Sequence, residues 1–277
     1  MAIATLDGVI AGNKAVRTFI KALYGTASAA GVPISQWYIP GVPGPGVADI
    51  TTSGGVVRSS TAAQVPGQLP HTDPGTGNAY LSRFAALSSN TAGVLQLCDR
   101  LWECGNASGA TLSSTLTTGQ TIASAAWPAR DAANSINGDG VLIGVEVSTA
   151  MGAGTPTLTL GYTNQAGTAG RSAANVDAVA GSAGVGTFHR FGLQAGDTGV
   201  KSVQTFTQSA TRTSGQQILV AYRVLAQLEL NNQIGNSIDA LTGGMPQIPN
   251  GAVPFLLFIP GSTTQSSLMG TYQETQG

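Results

Sequence analysis

The sequence predicts a mainly β protein: an antiparallel β-sandwich or jelly roll preceded by an N-terminal helix and an extended Pro/Gly-rich arm. Three observations carry this. Runs of alternating apolar and polar residues recur from about residue 79 to the end, the pattern of half-buried strands. Turn-forming Gly, Asn, Asp and Pro separate them, and only one stretch shows helical spacing. The 277 residues include 38 Gly and 13 Pro but keep 42% hydrophobic residues, enough for a real core.

The one helical pattern spans Lys14 to Ala30. Val16, Phe19, Ile20 and Leu23 fall at i, i+3, i+4 and i+7, one face of a helix. Asn13 stands where an N-cap belongs, and Gly31 with Pro33 supplies the stop. Lys14, Arg17 and Lys21 fall on the other face, read as solvated. Next, Gln36 through Gly46 opens a Gly/Ser/Thr/Pro tract that continues to about Gly77. Its proline and glycine density precludes helix or inner strand. Trp37 and Tyr38 within it read as aromatic anchors of an arm that reaches a neighbouring subunit. The division expected is residues 1–77 for helix and arm, and 78–277 for the sandwich. Phe19, Trp37, Tyr38 and Ile39 are the residues expected at subunit contacts.

Strands are expected at Ala79–Ser88 and Val94–Cys104, flanking a hairpin-length turn at Asn90–Gly93. Gly140–Ser148 and Thr155–Thr163 flank the Gly-rich stretch 150–154; in the second, Leu158, Leu160 and Tyr162 alternate with Thr157, Thr159 and Gly161. Thr187–Leu193, Val200–Gln208, Gln217–Leu230, Val253–Ile259 and Leu268–Glu274 complete the set. Val224–Leu230 fits either period, and Asn236–Leu241 reads as a short helical turn. No fixed-period repeat occurs, against a propeller or solenoid.

Charge is the compositional anomaly. Only 9% of residues are Asp, Glu, Lys or Arg, with net charge −1, against roughly a quarter in ordinary soluble domains. Small neutral polar residues replace them, which suits close subunit packing because few ions need desolvation. A secreted domain with a neutral surface shares this composition, but the opening residues lack a basic region followed by an apolar core. No apolar run reaches the ~20 residues of a membrane span. The neutral balance and lack of a basic run argue against nucleic acid. Cys98 and Cys104, on one expected strand face about 20 Å apart at the usual strand rise, read as reduced, half-buried thiols of a protein made in a reducing cytoplasm.

No catalytic, cofactor or metal constellation emerges. The two histidines, His71 and His189, sit in no HExxH or HxH spacing, and His71-x-Asp73 is a weak metal pair. No GxSxG elbow, dinucleotide fingerprint or Walker motif occurs. Asp197 and the Asn137–Gly140 stretch read as turns, the Asp held by backbone N–H groups. The expectation is a non-enzyme without cofactors.

Several stretches resemble virion structural proteins of tailed bacteriophages. They are Leu97-Cys98-Asp99-Arg100-Leu101-Trp102, Trp127-Pro128-Ala129-Arg130-Asp131, Gly161 through Arg171, Leu193 through Val200, and Pro254 through Pro260. The resemblance covers most of the chain from about residue 70 and brings no catalytic residues. It implies a particle subunit made in the host bacterial cytoplasm and located in the virion. A capsid decoration or cement protein is the reading, its partners being copies of itself and other virion proteins such as the major capsid protein, with neither nucleic acid nor membrane. The alternative is a tail, head–tail connector or fibre component, including a receptor-binding or glycan-cleaving module. The receptor-binding or glycan-cleaving module predicts exposed aromatics lining a groove, with Trp37, Trp102 and Trp127 as the residues that would do so.

Overall fold

A computed structural model describes residues 3, 5–22, 29–61, 63–107, 110–113 and 117–277. The N-terminal strands are β1 (Arg17–Lys21), β2 (Ile34–Ser35), β3 (Gly41–Val42) and β4 (Val56–Val57). Then come β5 (Ala79–Ser88), β6 (Gly93–Cys104), the short β7 (Asn106–Ala107), β8 (Ala110–Thr111) and β9 (Gln120–Thr121). The middle holds β10 (Leu142–Thr149), β11 (Leu158–Asn164), β12 (Arg171–Asn175), β13 (Phe188–Gly192) and β14 (Val200–Gln208). Last are β15 (Gln216–Leu230), β16 (Asn236–Asp239), β17 (Gln247–Ile248), β18 (Pro254–Pro260) and β19 (Leu268–Gln276). One helix, α1 (Leu6–Gly12), precedes them, its N-cap Thr5 accepting from the Gly8 N–H at 3.1 Å.

The strands form antiparallel sheets, as the alternation predicts. In the smaller sheet the order is β16-β5-β19-β1-β3, with β17 also on β5. In the larger it is β2-β18-β6-β15-β10-β13-β12-β11-β14-β9, with β4 also on β6. The two sheets face each other over one core: Phe19, Phe84, Leu81 and Tyr272 meet Leu95, Leu97, Leu228, Leu256 and Phe258. The larger sheet curls around a second core built on Leu101, Trp102, Trp127, Val145, Leu160 and Phe206. A third lies on the opposite face of β6 and β15, where Trp37, Phe188, Tyr222 and Phe255 pack. Trp37 meets Phe255 edge-on at 6.3 Å between centroids.

Three expectations are corrected. Residues 17–21 form a strand, not a helix: Phe19 and Lys21 point in, Thr18 and Ile20 out. The reason is a partner that periodicity cannot reveal, since β1 completes a ladder on β19 with Phe19 opposite Gly270. Leu23, the fourth residue of the helical stripe, lies outside the described residues. Residues 236–239 are likewise a strand on β5, not a helical turn. β5 and β6 are no hairpin: β5 pairs with β16, β17 and β19 while β6 pairs with β15, β18 and β4, so the turn crosses between sheets. The strands before residue 77 are shared out, β1 and β3 joining the smaller sheet and β2 and β4 the larger.

Candidate functional site

The charge-bearing side chains come first, because their placement defines what the surface can do. Of the 25 charged residues (12 basic and 13 acidic), ten are buried: Lys21, Asp99, Arg100, Glu103, Arg130, Asp131, Glu146, Asp177, Arg212 and Glu274. Only Asp7, Lys14, Arg83, Glu229 and Asp239 are fully exposed. A chain poor in ions therefore hides many of those it has.

Half of the buried ions are organised around β6: Asp99, Arg100, Glu103, Arg130 and Glu146. A bulge at Leu101, where Tyr222 pairs with Arg100 and Ala221 with Trp102, reverses the strand's alternation. Arg100 and Glu103 thereby share a side, and Arg100 bonds Glu103 at 2.6 Å and Glu146 at 2.7 Å. Its guanidinium also lies 4.4 Å from the Trp37 ring centroid. Arg58 pairs with the other oxygen of Glu103. Burial alone would raise Glu103, but the two guanidiniums outweigh it and hold the carboxyl below its ordinary value. Glu146 goes the other way: full burial raises it, and Arg100 offsets only part. Next door, Arg130 bonds Asp99 at 2.9 Å, which also accepts from the Val253 N–H. The same bulge sends Cys98 and Cys104 to opposite faces, Cys98 into the Trp37 core and Cys104 into the Trp102 core. Both are free thiols and fully buried, not half-buried.

The predicted contact residues sit within their own chain. Phe19, Trp37 and Ile39 are buried and Tyr38 is half-buried against the same core. The arm folds back along the larger sheet: β2 pairs with β18, β4 with β6, and the Gly46 N–H donates to the Trp37 carbonyl. Lys21, expected in solvent, points inward and donates to the Ile39 and Pro43 carbonyls at 3.2 and 2.8 Å. Burial pushes its ammonium down to about 8. Trp37, Trp102 and Trp127 are all buried, so none of them can line a sugar groove.

His71 does not bind a metal-like cluster of the described residues. It bridges two carboxylates, Glu274 at 2.8 Å and Asp73 at 3.0 Å, which ties the end of the arm to β19. Asp197 is held mainly by side chains, Tyr162, Asn164 and Arg171, and not by the backbone N–H groups expected. In the 131–140 loop, Asp131 instead collects the N–H groups of Ala133, Ser135, Gly138 and Asp139.

Part of the outside is apolar. On the outer face of the smaller sheet, Val42, Ile20, Met269 and Leu87 are successive cross-strand neighbours on β3, β1, β19 and β5. Ile20, Met269 and Leu87 form the floor of an open groove of about 500 Å3, also lined by Thr18, Ala85, Ser237 and Thr271, in which Arg83 is the one charged side chain. Ile20 is 53% exposed there. α1 has no buried residue and shows Leu6 and Ile10 to solvent one turn apart. The sequence reading missed this face because it counted Ile20 toward a helical core. A period-two reading of residues 17–21 would have placed Ile20 opposite Phe19.

No helix among the described residues is long and apolar enough to cross a membrane. No protein-family model matches the chain, and no curated protein matches it. Among solved structures, it is similar to the VP2 subviral particle of infectious bursal disease virus at 9% identity and TM-score 0.22, over 96% of this chain and 81% of that one. The Gx strain of the same virus gives 9% identity and TM-score 0.20, over 95% and 81%. Scores this low fall short of a shared fold.

Proposed function

We propose that this chain is a non-enzymatic structural subunit of a bacteriophage particle, with decoration of the capsid as its place. The observation that carries the reading is the partition of charge: ten of the 25 charged side chains lie inside, leaving a surface poor in ions that carries an apolar sheet face. Contiguous apolar surface on a folded protein marks a contact site. The resemblance of Leu97–Trp102 and Pro254–Pro260 to phage virion proteins supports a bacteriophage as the source of that particle.

The occupant of the groove is a second copy of this chain, through its α1. A seven-residue helix that buries nothing is unstable alone, so Leu6 and Ile10 need a surface. The groove needs an apolar filling. Asp7, the one charge on α1, complements Arg83, the one charge in the groove. α1 cannot serve its own groove, because it lies on the far end of β19, where Thr275 Oγ1 donates to the Val9 carbonyl. Met269 is six residues back along that strand, about 20 Å away.

The test is Ile20→Asp and Met269→Asp in the full chain, by analytical ultracentrifugation and co-sedimentation with phage heads. Both side chains are exposed in the single chain, so folding should persist while self-association and particle incorporation fall at least tenfold. Wild-type association should change little when salt is raised, because few ions take part. A wild-type protein that stays monomeric and never sediments with particles would overturn the reading.

A further inference from the structure

Every other buried cation in this chain has acceptors: Arg100 two carboxylates, Arg130 Asp99, Lys21 two carbonyls. Arg212 does not. It lies in the turn between β14 and β15 and is 2% exposed, yet Nε, Nη1 and Nη2 all lack a partner among the described residues. His189 on β13 is 1% exposed and likewise has no partner at either ring nitrogen.

The two orphans lie near enough for the Arg212 charge to act on the His189 ring, and a run of contacts connects them. The β10–β13 register sets His189 opposite Val145, on the face that Val147 shares. Val147 packs with Met151 and Ala183, and the Met151 N–H donates to the Ala183 carbonyl. The chain then turns through Gly152 and Gly154 against Arg212. A Cβ on Gly154 would stand 3.1 Å from both Cα and Cγ of that arginine. Burial first, and then the nearby Arg212 charge, lowers His189 to about 4, so at neutral pH its ring is uncharged, with one nitrogen to donate and one to accept. The nearest acid, Asp177, is engaged with Arg190 at 2.6 Å. An ion removed from water without a counter-charge carries one of the largest penalties in folding. A planar guanidinium with free donors, beside an imidazole N–H, matches the oxygens of a small oxyanion.

We propose that Arg212 and His189 form a buried binding site for a small inorganic oxyanion of the phosphate or sulfate class. The bound anion neutralises Arg212 and locks the β14–β15 turn onto the 150–154 loop. It thereby adds to the stability of the larger sheet.

The experiment compares the full-length protein with Arg212→Met, each dialysed free of oxyanions and titrated with sodium phosphate at constant ionic strength. Once phosphate exceeds half-saturation, the wild-type folding constant should rise tenfold for each tenfold increase in anion. The ring NMR signals of His189 should shift along the same saturable curve. Arg212→Met should show neither effect, and in oxyanion-free buffer should be at least as stable as wild type, since it deletes an uncompensated charge. Three outcomes would overturn the proposal. An equal phosphate response in both proteins would mean an adventitious ion only; no response in the wild type would mean no site. An Arg212→Met protein that is unfolded or weaker without oxyanion would mean that the guanidinium is already satisfied.

Discussion

Replacing Arg100 with Met tests whether the interior ions form a coupled network. Arg100 is fully buried and holds two carboxylates, Glu103 at 2.6 Å and Glu146 at 2.7 Å. The methionine roughly preserves the stem that packs near Trp37 but removes the charge. Glu103 keeps Arg58 and the Asp49 N–H. Glu146 is left beside the Ser35 hydroxyl with no counter-charge. Removing one partner of a buried pair costs about 3–5 kcal/mol, and here most of it falls on Glu146. The pH dependence identifies the culprit. Burial already raises Glu146, and losing Arg100 raises it further, so the native state binds a proton that the unfolded chain releases. The variant's deficit is therefore smallest below the unfolded carboxylate value of about 4.3 and grows as pH climbs through the raised folded value. Urea denaturation at pH 5 and pH 8, followed by tryptophan fluorescence, measures this. Adding Glu146→Gln should recover much of the loss at pH 8. An Arg100→Met protein within 1 kcal/mol of wild type, with no pH trend, would refute the coupled network.

Three further outcomes follow from particular contacts. Burial disfavours the His71 imidazolium, but Glu274 and Asp73 outweigh it and raise its pKa; its stabilisation is complete below the ordinary histidine value of about 6.5 and is lost as pH rises through the higher folded value. His71→Gln should therefore cost about 1.5–3 kcal/mol at pH 6 and flatten the pH profile of the urea midpoint. A Cβ on Gly144 would stand 2.0 Å from the Phe188 ring, which is pinned edge-on against Tyr222; Gly144→Ala should lose about 1–3 kcal/mol by overpacking, read from the same midpoint. Burial raises the thiol pKa of both cysteines, Cys104 to about 11, so alkylation monitored by mass spectrometry should be negligible in native buffer and fast in urea.

The strands were legible where alternation met a partner already close in pattern. Ala79–Ser88 and Val200–Gln208 have the bounds that spacing predicts, and Gln216–Leu230 differs by one residue. The failure at residues 14–30 is instructive, since the same apolar residues satisfy a helical stripe and, over 17–21, a strand. What decided between them was β19, some 250 positions away, whose free edge β1 occupies. A helix would have left that edge open. The buried ions were hidden for a different reason. Arg100 and Glu103 are three apart, opposite faces of a regular strand, and only the bulge at Leu101 brings them together. Neither alternation nor motif spacing encodes a bulge.

The location of charge changes the meaning of the low charge count. Composition alone suggested a surface dilute in ions, which any neutral secreted domain would share. The fold instead spends ten of 25 charged side chains inside, where pairing and hydrogen bonding fix strand register and core geometry. A buried ion network contributes less stability than an apolar core of equal volume. Its benefit lies in uniqueness, because misregistered strands would strand charges without partners. Where strands are rich in small side chains, as in Arg171–Asn175 and Leu142–Thr149, register is specified weakly and that discrimination is valuable. The same choice leaves the outside poorer in the ions that keep a small domain dispersed, so one allocation of charge serves both the pairing of strands within a subunit and the approach of one subunit to the next.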